Sequence, residues 1–256
     1  MLGYRAVGTV STGNMAVSVA AYASRAGLAT KILVSENTNI EELKSVSVYG
    51  ADIVVVRGDY GKLYFESLKL GEKYGIYFMS SDNSFRVEGY KGIAFEISQE
   101  VASDYVLIPS SSGGLFRGIA KGFIELKESN IIDKLPTLVA VQAEGYSPIC
   151  RAFKEGRSRV VPFENPKTVA KAISNPNPPS GDAVLKLLRR FGWRCETVSD
   201  DEILEAQREL AREGLFVEPA SAAGVAALKK MRREGAIPEG LFCFWLVVVV
   251  FMVLFS

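Results

Sequence analysis

Short apolar runs alternate with helical stretches along most of this 256-residue chain, and that rhythm limits the fold more than any other feature. The runs are 6–10 (AVGTV), 31–34 (KILV), 52–57 (DIVVVR), 76–79 (IYFM), 105–109 (YVLIP) and 137–142 (TLVAVQ). Between them lie segments of helical character at 15–26, 60–74, 87–101 and 115–128, with a further helix ending at Gly50. Strands joined by helices rather than by tight hairpins must run parallel. Parallel strands are buried on both faces, so they read as near-continuous Val/Ile/Leu runs. The expected class is therefore α/β and doubly wound. Helices follow at 184–191, 200–212 and 220–234, with 215–217 as a short strand before the last. The reading divides near 80–86 into two open parallel-sheet α/β lobes, a smaller one over 1–85 and a larger one over 86–256.

Local signals agree with this outline. Gly27 is placed to stop the first helix, and Thr38 with Glu41 has capping-box spacing at the head of the next. Segment 174–182 (SNPNPPSGD), with Pro166 just before it, holds four of the ten prolines and must be irregular. The last stretch, 241–255 (LFCFWLVVVVFMVLF), is apolar throughout. As a helix it would reach about 22 Å, short of the roughly 30 Å hydrocarbon core of a bilayer. Three readings stay open for it: a buried central strand with an overlong extension, a short membrane tail anchor, or an end that does not pack.

Composition narrows the chemistry. Histidine is absent, which removes Ser-His-Asp and Cys-His catalysis, His-ligated metals and imidazole acid–base work. With 30 basic and 29 acidic side chains, a net charge of +1 gives no reason to expect nucleic acid or an acidic membrane as partner. The three cysteines, Cys150, Cys195 and Cys243, are far apart and form no CxxC pair. No disulfide framework or metal site is expected from them, and a reducing cytoplasm is the default setting. The first residues lack the basic and apolar regions of a secretory signal.

Two loops share one design: an apolar strand, small polar and Gly residues, then a helix. One is Ser11-Thr12-Gly13-Asn14, and the other is Ser110-Ser111-Ser112-Gly113-Gly114. Amides of a helix's first turn have no partner within the helix and sit at the positive end of its dipole, so each loop suits a phosphate or carboxylate. The same residues also make ordinary caps and turns. Their shared place, at the carboxyl ends of strands in an open sheet, favours ligand binding. Neither loop is a GxxxxGK[ST] or a GxGxxG, so ATP and NAD are not indicated. A phosphorylated cofactor acting on an amino acid fits one phosphate site and one carboxylate site. Glu218-Pro219-Ala220-Ser221 reads either as a capped helix start or as a site edge. Segment 83–91 (NSFRVEGYK) likewise reads as a solvated helix start or as a loop at the inter-lobe cleft.

The wording of several segments then resembles a family. AVGTVSTGNMAVSVAAYASRAGL, IPSSSGGLFRGIAKGF, LVAVQAEGYSPICRAF and VSDDEILEAQRELAREGLFVEPASAA occur in an order that resembles the threonine synthases, which are fold-type II (tryptophan synthase β-like) pyridoxal-phosphate enzymes. The resemblance covers about 3–239. It implies pyridoxal 5'-phosphate as cofactor, held in a cleft between the lobes. It also implies conversion of O-phosphohomoserine to threonine and phosphate, by γ-elimination and then β-addition of water. The backbone at Ser11, Thr12 and Gly13 would take the substrate carboxylate, and Asn14 would bond the ring 3′-oxygen. Ser111, Ser112, Gly113, Gly114 and Leu115 would cradle the cofactor phosphate.

Three departures qualify the likeness. The family's Schiff-base lysine lies in a Ser-Phe-Lys-Asp-Arg-like motif upstream of the STGN loop. No such motif occurs here, and Lys31 does not match it. The Thr-Gly loop that meets the pyridine nitrogen is replaced by the apolar tail, and Ser111 stands where relatives have Gly. The expectation is a threonine synthase-like chain altered at both ends, cytoplasmic, without its catalytic lysine, inactive as it stands and open to forming a homo-oligomer. The rivals are a serine/threonine dehydratase or β-replacement synthase, a non-catalytic cofactor-binding protein, and a membrane-associated remnant.

Overall fold

The computed structural model describes residues 3–36, 38, 43–57, 60–81, 83–163, 167–237 and 242–244, with the side chains of 60–62, 65 and 242–244 outside the description. The chain divides into two compact units, Met1–Asn83 and Ser84–Ser256.

Among its described residues the smaller unit holds a four-stranded parallel sheet with helices. In chain order its elements are β1 (Ala6–Val10), α1 (Asn14–Arg25), β2 (Ala29–Ser35), α2 (Lys44–Ser47), β3 (Asp52–Val56), α3 (Tyr60–Tyr74) and β4 (Ile76–Phe78). The strand order is β3-β2-β1-β4, and every pair is parallel. The period-2 alternation of β2 sends Ile32 and Val34 to one face, against Ala16, Ala20 and Val46, and Leu33 to the other, with Val10, Leu63 and Phe78. The helix inferred to end at Gly50 is a single turn, Lys44–Ser47. The Thr38/Glu41 capping box cannot be followed, because Glu41 lies outside the described residues.

The larger unit runs α4 (Ser84–Glu100), β5 (Tyr105–Pro109), α5 (Gly114–Glu128), β6 (Thr137–Ala143), α6 (Pro148–Lys154), α7 (Gly181–Phe191), β7 (Arg194–Val198), α8 (Asp200–Arg212), α9 (Pro219–Arg233) and β8 (Phe242–Phe244). Its strands are parallel in the order β7-β6-β5-β8. Both faces are covered. Val106, Ile108, Leu138 and Ala140 pack with α4, α5 and α7 residues such as Ala94, Phe116, Ile119 and Leu188. On the opposite face, Leu107, Val139 and Val141 meet Ile203, Ala223 and Ala227 of α8 and α9. The two-sided burial is what the apolar runs demanded.

Three expectations need correction. Residues 215–217 form no strand: the Leu215 N–H turns back to the Leu210 carbonyl, and the Val217 carbonyl accepts from Gln207 Nε2. The strand of that region is β7 instead. The tail's described part, Phe242–Phe244, is a strand beside β5, at the end of the order among described residues rather than in the sheet centre, and the rest lies outside the described residues. The cysteines also differ from expectation: Cys150 of α6 and Cys195 of β7 are joined by a disulfide. Because β6 and β7 are adjacent and parallel, α6 crosses over them and brings together two thiols 45 residues apart in sequence. Cysteine usage therefore no longer argues for a reducing compartment.

Candidate functional site

Both loops singled out in the sequence leave the carboxyl ends of strands. In the smaller unit, Ser11, Thr12 and Gly13 follow β1, and Asn14 is the first residue of α1. Ser11 Oγ accepts from the Gly13 N–H at 3.3 Å, and the Gly13 carbonyl accepts from Ala16 N–H at 2.9 Å. Gly13 caps the helix with extended backbone and no side-chain bond. The turn is thus partly self-satisfied, since one of the three backbone donors assigned to a carboxylate already serves Ser11. Gly13 and Asn14 are exposed, at the positive end of a 12-residue helix.

The loop of the larger unit is more firmly held. Ser110 is buried and directs all its polar groups inward. Its N–H donates to the Val141 carbonyl (2.8 Å), its hydroxyl donates to the Ile108 carbonyl (2.8 Å), and its carbonyl accepts from Gln142 Nε2 (3.0 Å). The Ser112 carbonyl accepts from the Ser180 N–H (3.0 Å), and its hydroxyl oxygen accepts from Asn175 Nδ2 (2.8 Å). A hydroxyl that accepts still has its own proton to donate onward. Gly113 has φ +88°, a left-handed conformation that side chains strain to adopt. A Cβ there would also stand 2.9 Å from Val184 Cγ2 and 3.1 Å from Ser180 Cβ. Gly114 and Leu115 then open α5, whose first-turn amides have no carbonyl partner inside the helix. Ser111, in the place of a glycine, brings no left-handed strain: among described residues only Asn130 combines positive φ with a side chain.

The sequence reading missed the residues that brace this loop. Asn175 and Ser180 come from the Pro-rich segment 174–180, and Gln142 comes from β6. The readable signal for Gln142 was an amide inside an otherwise apolar strand. Arg117 Nη1 also reaches Ser180 Oγ at 2.8 Å, tying α5 to the brace. Just past β6, burial pushes the Tyr146 phenol above its ordinary range.

Both of the ambiguous segments start helices. Glu218 is the N-cap of α9 with Pro219 in its first turn, and its carbonyl accepts from Ser221 N–H at 3.0 Å. Segment 83–91 becomes the first turns of α4, where Arg86 lies over the Tyr90 ring and Lys91 pairs with Glu88 (2.6 Å) and Glu125 (2.8 Å). The carboxylate of Glu125 holds the Lys91 ammonium above its usual pKa range.

Over residues 2–252 the sequence matches the family described as "Pyridoxal-phosphate dependent enzyme". The chain belongs to that family. It is 40% identical over 241 residues to the threonine synthase of Methanocaldococcus jannaschii, covering 92% of this chain and 60% of the relative. It is 38% identical to that of Methanosarcina acetivorans, with the same coverage. The chain thus spans about 60% of the length of these curated relatives. Its fold matches the processed form of threonine deaminase isoform 2 from Solanum lycopersicum (TM-score 0.80, 22% identity, 93% of this chain and 64% of that one). It also matches maize serine racemase (TM-score 0.80, 22% identity, 94% and 71%). Among the described residues no helix is long and apolar enough to cross a membrane.

The loop of the larger unit fits the phosphate of that cofactor. Its left-handed Gly113, carbonyls braced from behind and open helix end offer amide donors at a partial positive charge, the chemistry a phosphate dianion needs. When bound, the cofactor supplies an electron sink for a carbanion on an amino-acid substrate.

Proposed function

We propose that this chain grips pyridoxal phosphate through the amides of Ser111, Gly113, Gly114 and Leu115 and the Ser112 hydroxyl. In the smaller unit, the backbone of Ser11, Thr12 and Gly13 takes the carboxylate of a small amino-acid substrate, and Asn14 serves the ring 3′-oxygen. The chemistry so served is that of the relatives named threonine synthase, O-phosphohomoserine to threonine and phosphate. The observation that carries this reading is the brace behind the phosphate loop. A turn that only started a helix would not need its Ser110 carbonyl held from β6 and its Ser112 carbonyl and hydroxyl held from the distant segment 174–180.

The same residues orient rather than react. Amide donors hold anions without titrating, and no histidine is present to move a proton. None of the lysines within these 256 residues stands in a Ser-Phe-Lys-Asp-Arg-like motif, so the amine that would carry the cofactor and take the α-proton is not among them. We therefore read these residues as a cofactor-binding set that does not turn over alone.

Equilibrium dialysis against pyridoxal phosphate tests this. Saturable binding is expected, weakened at least tenfold by Gly113→Ala. After borohydride treatment, intact mass should show no pyridoxyl group fixed to lysine, and O-phosphohomoserine should yield no threonine. Equal binding by Gly113→Ala would overturn the cradle. A borohydride-fixed lysine adduct together with threonine formation would overturn the assignment of inactivity.

A further inference from the structure

We propose that Gln142 is a positioning residue for the cofactor-phosphate loop, setting the direction of its first amide donor; this rests on the reading of that loop as a phosphate cradle. Gln142 is wholly buried in β6, between apolar neighbours Val141 and Ala143. Its Nε2 donates to the Ser110 carbonyl at 3.0 Å, and its Oε1 accepts from the N–H groups of Ile149 (2.9 Å) and Cys150 (3.0 Å). The opposite amide orientation would set donors against donors and satisfy none of the three bonds. One side chain thus caps the start of α6, where Ser147 makes no side-chain cap, and holds the peptide that enters the phosphate loop.

The consequence follows from the planarity of that peptide. In a trans peptide the C=O and the following N–H point to opposite edges of one plane, and no cis peptide occurs among the described residues. Drawing the Ser110 carbonyl inward to Gln142 turns the Ser111 N–H the other way, out of the core. The Ser180 N–H does the same to the next peptide but one: it holds the Ser112 carbonyl and so turns the Gly113 N–H outward. Two separate braces thus aim two separate donors. The first brace needs a side chain that donates to a carbonyl while accepting from two N–H groups at the same end, which a carboxamide does at every pH and a carboxyl does only while protonated. A methionine of similar length does neither. An ionised glutamate keeps the two bonds to α6 and loses the bond to Ser110.

The test labels serine and glycine with ¹⁵N and titrates pyridoxal phosphate into wild type, Gln142→Met and Gln142→Glu, recording each melting temperature. In the wild type the Ser111 and Gly113 amide resonances should both move downfield at saturation. In each folded variant, with the Gln142→Glu carboxyl ionised, binding should weaken at least tenfold, and Ser111 should cease to respond while Gly113 still does. A general loss of stability would not produce that selective silence. A folded Gln142→Met chain, or a Gln142→Glu chain with its carboxyl ionised, in which Ser111 responds as in wild type overturns the proposal. If Gln142→Met does not fold, Gln142→Glu titrated with pH supplies the answer: the Ser111 response should be absent while the carboxyl is ionised and return when it is protonated, and a response that does not change across that titration overturns the proposal. If neither folds, a wild type in which Gly113 moves and Ser111 does not overturns it. No response from either amide in wild type would instead refute the cradle reading itself, and this inference with it.

Discussion

Replacing Gly118 with alanine should lower the stability of the larger unit, against the usual direction for such a change in a helix. Alanine in place of glycine within a helix normally gains about 1 kcal/mol. Here Gly118 of α5 faces α4 so closely that an added Cβ would sit 2.3 Å from Tyr90 Cβ and 2.6 Å from the Val87 carbonyl oxygen. Neither atom is the end of a flexible side chain, so the helices must part by about an ångström. Overpacking of this kind costs about 1–3 kcal/mol or somewhat more. Two rigid contacts below 3.0 Å place this site in the upper part of that range, about 2–3 kcal/mol. After the propensity gain, a net loss of roughly 1–2 kcal/mol remains, equivalent to about 2–8 °C in melting temperature for a unit of this size. Gly89, on the exposed side of α4, is the control: nothing stands within 4 Å of its added Cβ. Gly89→Ala should therefore raise the melting temperature by about 1–4 °C. Scanning calorimetry of the two variants reads both signs. A Gly118→Ala chain that melts at or above wild type would refute the close α4–α5 packing, and with it the fixed origin of the helix that carries the phosphate loop.

Two further outcomes follow. Intact mass after maleimide treatment in denaturant should show one modified cysteine without reductant and three with it, because Cys150 and Cys195 are joined. The bridge closes a loop of 45 residues, so its removal in Cys150→Ala/Cys195→Ala should cost at most about 4 kcal/mol of unfolding free energy, read from urea titration. The second concerns Glu202, in the capping box of α8. Burial raises its carboxyl pKa, but the Ser199 N–H and the Arg233 guanidinium outweigh this and hold it below the usual range. A depressed carboxylate stabilises the fold above its unfolded value near 4.3, and that contribution is lost as pH falls through the lower folded value. Glu202→Gln should therefore be less stable than wild type at pH 7, and the two should converge in acid. Parallel pH–stability curves for the two would count against it.

The sequence made visible what periodicity and chemistry carry locally. β1, β2, β5 and β6 are apolar on both faces and could be read directly, as could the two Gly/Ser loops they feed. β7 could not. Its half-buried Arg194 and Glu196 break the apolar run, Glu196 pairing with Lys154 and Lys230, on a strand that stands at the end of the sheet order among described residues. Leu215 and Phe216 misled in the opposite sense: they are apolar yet exposed, in a segment whose backbone bonds go to α8 rather than to a neighbouring strand. The disulfide and the loop's brace were illegible for one reason. Cys150 with Cys195, Ser112 with Asn175 and Ser110 with Gln142 are pairs that only the crossover topology brings within reach.

The brace also has a timetable. Ser112 emerges from the ribosome 63 residues before Asn175, its hydroxyl's partner, and Ser180 comes later still. At translation rates of roughly 5–20 residues per second, that interval is about 3–13 s. During it Gln142, only 32 residues after Ser110, can already hold the Ser110 carbonyl, while the Ser112 carbonyl and hydroxyl still wait for their partners. Completion of the loop is thus an event of late synthesis, and a ribosome stalled before residue 175 would hold a chain with the Ser110 brace in place and the Ser112 brace still missing.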